Sequence, residues 1–165
     1  MNLLAIDTSE EACSAALLID DAVIERFEIA PRRHSELILP MMDGLLAEAG
    51  LNLGDLDALA FARGPGSFTG VRIAASVIQG AALGSGLPVV PVSSLQAIAQ
   101  GACRAQGAAC VLIALDARMH EVYWGGYRAD AAGIMRAVID EMVCAPQQVV
   151  VPDGDGWTAA GSGWK

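Results

Sequence analysis

The residues best suited to chemistry fall in three places. The first is the loop GPGSFTGVR, residues 64–72, where Gly64, Gly66 and Gly70 are interleaved with the hydroxyls of Ser67 and Thr69. Such a loop can cradle phosphate with its backbone amides. A Walker loop, however, ends in Gly-Lys-Ser/Thr, so that the lysine reaches the terminal phosphates and the hydroxyl holds magnesium. Here Val71 and Arg72 follow Gly70. A dinucleotide loop needs GxGxxG after a first strand and an acidic residue about twenty positions on. The glycine spacing differs, and no acidic residue lies between Asp57 and Asp116. The loop therefore reads foremost as a tight turn from a strand into a helix. The second place is Asp7-Thr8-Ser9, which closes an apolar run. A carboxylate and two hydroxyls there could meet metal-bound phosphate, or Thr8 and Ser9 could simply make the turn. The third is the histidines. His34 and His120 stand far apart, each without a second histidine at i+4, so neither signals a metal pair. His34 reads as preceding and capping a helix. No GxSxG nucleophile elbow occurs.

Composition narrows the function classes. Of the 165 residues, 54% are hydrophobic and 18% charged, which argues against disorder. The size allows one good core, or two small lobes sharing one. The formal net charge is −9, so the chain repels phosphate backbones and direct nucleic-acid binding is not expected. No apolar run reaches the ~18 residues of a membrane span. The N-terminus, MNLLAIDTSEE, lacks a basic region and a cleavage site, so no signal peptide is expected. Cys13, Cys103, Cys110 and Cys144 are scattered without a CxxC pair. They read as reduced, mostly buried thiols of a cytoplasmic protein, with disulfide pairing the less favoured alternative.

Several elements must hold these residues in place. Runs at 3–8, 12–19 and 22–30 are separated by short breaks such as Asp20-Asp21, and suggest an antiparallel meander of three strands. Residues 34–50 change to helical period, with Pro40 in the early turns and Gly50 as the stop. LDALAF (56–61) reads as a strand. A second helix spans 69–84 with Thr69 as its N-cap. PVVPV (88–92) reads as a strand, and Ser93 or Ser94 caps a helix to about 102. ACVLIALDAR (109–118) and EVYWGGYRA (121–129) form a strand pair turning at Met119-His120. The order βββ-α-β-α-β-α-ββ mixes a meander with parallel crossover units. AIDTS at 5–9 and ALDAR at 114–118 echo each other, as in a duplicated fold.

Both early helices carry apolar residues beyond one face. Leu37, Ile38, Leu39, Met41, Met42, Leu45, Leu46 and Ala49 cover an arc of roughly 200°, where a surface helix needs little over 100°. On the second helix, Gly70, Ala74, Val77 and Ala81 make a stripe of small residues opposite another apolar side. Either one side meets a partner, the reading favoured here, or both sides are buried internally.

AIDTS with CSAAL, HSELILP, GPGSFTGVR with PVVPVSSL, and DARMHEVYW resemble, in order and spacing, the bacterial TsaB (YeaZ) proteins. Ala74 departs from the glycine that many relatives carry there, and relatives continue past position 165. The resemblance implies an α/β, actin/hexokinase-like (ASKHA, ribonuclease-H-like) fold of two lobes, each starting with a βββ unit. One lobe is expected over residues 1–105 and an incomplete second over 106–165. It implies a non-catalytic partner in making N6-threonylcarbamoyladenosine in tRNAs that read codons beginning with A. The catalytic subunit would be a TsaD-type paralogue, joined by a TsaE-type ATPase. ATP and metal would belong to those partners, with no cofactor held tightly here. The first two helices would be the surface for pairing with that paralogue, or with a second copy when the chain is alone. The residues assigned to it are Leu37, Met41, Met42 and Leu45, with Gly70, Val71, Ala74, Ala75, Ile78 and Ala81. The alternative is an enzyme of the glycopeptidase-like (M22) or ASKHA kinase class, with Asp7, Thr8 and Ser9 holding metal-nucleotide in the cleft between lobes.

Overall fold

The computed structural model describes every residue except Asp155 and Lys165. The chain divides into two compact units, Met1–Val92 and Ser93–Lys165.

The first unit opens with β1 (Asn2–Asp7), β2 (Ala12–Ile19) and β3 (Ala22–Ile29), an antiparallel meander as the apolar runs predict. Helix α1 (His34–Ala49), strand β4 (Ala58–Ala62), helix α2 (Phe68–Ser85) and strand β5 (Val89–Val92) follow. The sheet order is β3-β2-β1-β4-β5, with β4 parallel to both β1 and β5. Side chains alternate along β2, so Cys13, Ala15 and Leu17 point into the core. There they join Leu4, Ile6 and Leu59 from the neighbouring strands, with Ile38 and Leu45 of α1 and Ile78 of α2. Gly50 ends α1 in the left-handed conformation, its amide donating to the carbonyls of Ala47 and Leu46.

The second unit holds α3 (Ser94–Gln106), β6 (Cys110–Arg118), β7 (Glu121–Ala129), β8 (Met135–Cys144) and β9 (Trp157–Ala160). Its sheet order is β8-β7-β6-β9, antiparallel across β8-β7-β6 and parallel between β6 and β9. This repeats β3-β2-β1-β4 strand for strand, so β1 and β6, the strands bearing AIDTS and ALDAR, hold equivalent places. Strands β8 and β9 are absent from the sequence reading.

Three expectations need correction. The units divide at Val92/Ser93 rather than after residue 105, because α3 belongs to the second sheet. Leu95, Ala99 and Ala102 pack there with Val111, Ile113 and Tyr127, and Gln96 Nε2 donates to the Met135 carbonyl at 2.8 Å. The N-cap of α2 is Ser67, not Thr69, because the helix begins one residue earlier. Its hydroxyl accepts from the Gly70 amide at 3.3 Å, three residues on, as a capping side chain does. His34 is the first residue of α1 and is buried, while Arg33 holds the cap position with no side-chain capping bond, its guanidinium donating to Glu28 instead.

The β6–β7 turn falls where the sequence places it, at Met119-His120, and it is strained. Arg118, Met119 and His120 have φ of 66°, 51° and 63°. Each such left-handed L-residue costs roughly 1–2 kcal/mol. Met119 is 90% exposed, so its side chain offsets little of that by packing. Asn-Gly suits two positive-φ positions. Met119→Asn combined with His120→Gly should therefore stabilise the second unit by about 1 kcal/mol. A rise in the urea midpoint followed by tryptophan fluorescence checks this, since Trp124, Trp157 and Trp164 all lie in that unit.

Candidate functional site: the α1–α2 face

The glycine loop clamps the start of α2 onto the end of β1. The Ser67 amide donates to the Ser9 carbonyl at 2.6 Å. The Thr8 hydroxyl donates to the Gly70 carbonyl at 2.7 Å. A Cβ at Gly66 would strike the Ser9 carbonyl oxygen, and one at Gly70 the Thr8 carbonyl oxygen. These two glycines are therefore required for close backbone approach. Asp7 Oδ1 accepts from the Ser9 amide at 2.7 Å, and Thr8 and Ser9 are buried. The three residues proposed above for metal-nucleotide thus make the turn and hold the helix.

Five of the ten residues assigned to a partner surface face the core of the first unit. Met42, Leu45, Gly70, Ala74 and Ile78 are all buried, and Ala74 is 0% exposed. Leu37, Met41 and Ala81 are half-buried against the same core, and Val71 and Ala75 are also half-buried. The face that α2 offers to solvent is a different one. At about 100° per residue, a stripe at 68, 72, 76 and 80 lies roughly 200° round the helix from 70, 74 and 78. Phe68, Arg72, Ser76 and Gly80 are indeed exposed. Phe68 is 74% exposed and Leu39 on α1 is 52% exposed.

Between the two helices runs a groove with two cavities. One, of about 370 Å³, is lined by Ser35 of α1 with Phe68, Thr69, Arg72 and Ile73 of α2. The other, of about 400 Å³, is lined by Leu39, Met42, Asp43 and Leu46 with Leu53, Gly80 and Ala81. Ser76 and Val77 line both. The Arg72 guanidinium lies 3.4 Å over the Phe68 ring, a cation–π contact that holds both side chains at the mouth of the groove. The walls are apolar, and the charged side chains lining them are Arg72 and Asp43. Such a surface suits the packing of another protein.

Elsewhere the titratable groups are dispersed. Among the described residues, no group of three or more His, Cys, Asp or Glu gathers in a geometry that could hold a metal ion. His34 is buried, and its Nε2 has no hydrogen-bond partner. Cys13 is buried beside the His34 carbonyl, its Sγ 3.9 Å from that oxygen, and burial raises its thiol pKa. All four cysteines are free thiols, with Cys103 and Cys110 half-buried and Cys13 and Cys144 buried. Iodoacetamide should therefore modify Cys103 and Cys110 first in the native chain, and Cys13 and Cys144 only in urea. Peptide mass spectrometry at timed intervals checks the order. No helix among the described residues is long and apolar enough to cross a membrane.

The meander, crossover order and repeated half-sheet define an actin/hexokinase-like α/β fold. A family profile described as "TsaD: tRNA N6-adenosine threonylcarbamoyltransferase" matches residues 25–159. The Escherichia coli (strain K12) "tRNA threonylcarbamoyladenosine biosynthesis protein TsaB" is 48% identical over 168 residues, spanning 100% of this chain and 73% of the relative. The Haemophilus influenzae protein of the same name is 46% identical over 172 residues, spanning 99% and 73%. The solved structure of YeaZ from Pseudomonas aeruginosa superimposes with a TM-score of 0.95 at 51% identity, over 99% of this chain and 76% of that one. The chain belongs to the TsaB (YeaZ) family.

Proposed function

We propose that this chain is a non-catalytic partner subunit in the formation of N6-threonylcarbamoyladenosine in tRNAs reading codons that begin with A. It binds a TsaD-type catalytic paralogue and activates it, together with a TsaE-type ATPase, in the cytoplasm. Alone, it pairs with itself through the same face. ATP and metal are held by the partners. The tRNA is held there too, in keeping with the net charge of −9 on this chain. The names of the relatives from Escherichia coli and Haemophilus influenzae support the pathway. The observation that carries the role is the α1–α2 groove, with Phe68 and Leu39 exposed at its rim.

The test is reconstitution. Purified TsaD-type and TsaE-type proteins receive ATP, threonylcarbamoyl-adenylate and substrate tRNA, with and without this chain. Product should form only when the chain is present, and Asp7→Asn should leave the yield unchanged. Product formed equally without the chain, or lost with Asp7→Asn in a folded protein, would overturn the reading.

A further inference from the structure

We infer that the β6–β7 turn is a second docking element of this chain, with Met119 entering an apolar pocket on a protein partner and Arg118 meeting a carboxylate at the pocket's edge. The inference rests on the proposed role as a partner subunit, and adds a contact outside the α1–α2 groove. Two departures from a regular hairpin coincide at this turn. Arg118 pairs with Glu121, which closes a two-residue turn, and the β6–β7 register shifts between Asp116 and Arg118. A bulge of that kind bends the strand and re-aims its end. Arg118, Met119 and His120 then follow one another in the left-handed region. Among the described residues, no other run of consecutive non-glycine residues has positive φ.

The fold gains little from the side chains held this way. Met119 is 90% exposed, and Arg118 and His120 are exposed as well. The bonds that support the turn come from its backbone. The Arg118 amide donates to Asp116 Oδ1 at 2.8 Å, and the Asp116 amide donates to the Ser162 hydroxyl at 3.3 Å. Neither bond depends on which side chains stand at 118–120. Strain that internal packing does not offset is a feature of functional segments.

The chemistry of the tip sets the kind of partner. A thioether is apolar and adapts its shape, which suits it to a pocket on another protein and gives it nothing to offer a phosphate. Asp116 and Glu121 stand at the base of the turn and offset the charge of Arg118, in a chain of net charge −9, so a nucleic-acid backbone is not drawn here. Among the described residues, the ionic contact of Arg118 is a long one, Nη1 lying 3.9 Å from Asp116 Oδ2. Its guanidinium therefore keeps donors for a carboxylate on a partner. The groove is built from the first unit and the turn from the second. One partner fills the groove, and the occupant of the turn is the other.

The measurement titrates labelled TsaE-type ATPase, with ATP, into the preformed pair of this chain and the TsaD-type paralogue. Met119→Asn combined with His120→Gly should raise the urea midpoint of the chain by relieving strain, and yet raise the Kd of the ATPase for the pair at least about tenfold. Met119→Leu keeps an apolar side chain of similar volume and should stay within about threefold of the parent. Arg118→Ala keeps the backbone bond to Asp116 and should raise the Kd about three- to tenfold. The Kd of each variant for the paralogue alone should not change. A double variant that is more stable and binds as the parent does would overturn the inference. So would Met119→Leu losing as much affinity as the double variant. Unchanged ATPase binding with loss of substrate tRNA from the assembly, read by filter binding, would assign the turn to RNA instead. If the parent pair does not bind the ATPase, the turn has no such occupant and the inference falls, while stimulation of the reaction on reconstitution still decides the proposed function.

Discussion

Gly70→Ala should destabilise the first unit by about 2–4 kcal/mol, although alanine is the better helix former by about 1 kcal/mol. The new Cβ would run into the Thr8 carbonyl oxygen, which belongs to the backbone and cannot swing aside. Relief requires α2 to lift from the end of β1. That breaks the 2.7 Å bond from the Thr8 hydroxyl to the Gly70 carbonyl and opens the core beside Ala74 and Ile78. Gly80 stands in the same helix, exposed, and a Cβ there meets nothing within 4 Å. Gly80→Ala should therefore stabilise by about 0.5–1 kcal/mol. One substitution made twice in one helix thus has opposite signs. Urea unfolding of both variants, followed by circular dichroism, measures the pair. If Gly70→Ala proved neutral, the loop would not be the clamp described here.

The same loop marks the limit of what the sequence made legible. That its glycines match neither a Walker nor a dinucleotide loop is readable from Val71 and Arg72, the glycine spacing and the missing acidic residue. What they approach is not, because Thr8 and Ser9 lie some sixty positions earlier. The meander, α1 and the turn at Met119-His120 follow from local pattern, since each has alternation, helical period or a break that sequence displays. Strand β8 does not. It is an edge strand, and its pairing with β7 shifts register between Trp124 and Gly126 and again between Gly126 and Tyr127. Those irregularities spoil the period-two signal. The boundary between units was misplaced for a related reason. Sequence shows that α3 has an apolar face, but not which sheet receives it.

Periodicity also hid the phase of the two helices. Apolar residues spread over a wide arc reveal that a helix is covered on more than one side, but not which side meets its own sheet. On α2 the small residues Gly70 and Ala74 turned out to serve the intramolecular contact. The solvent stripe was signalled by Phe68 and Arg72, an aromatic and a cation one turn apart on a helix otherwise without charge. Counting apolar residues passes over such a pair, because one member is charged.

That assignment separates two substitutions two residues apart. Ala74→Glu places a carboxylate where no surface is exposed. Burying an unpaired charge costs several kcal/mol, comparable with the whole stability of a small unit. Loss of function in that variant would report unfolding, not the interface. Ser76→Arg is the informative change. Ser76 is exposed and sits at the junction of the two cavities, and arginine is at least as good a helix former as serine. The variant should keep the parent melting temperature within a few degrees and fill the groove with a long cation. Threonylcarbamoylation in the reconstituted system should then fall at least about tenfold, as when a central interface residue is lost. Full activity with Ser76→Arg in a folded chain would move the partner surface away from α1 and α2. Full activity with Ala74→Glu would show instead that α2 does not pack on the sheet as described. The two outcomes are read in one experiment, because circular dichroism distinguishes the unfolded variant from the folded one before tRNA is added.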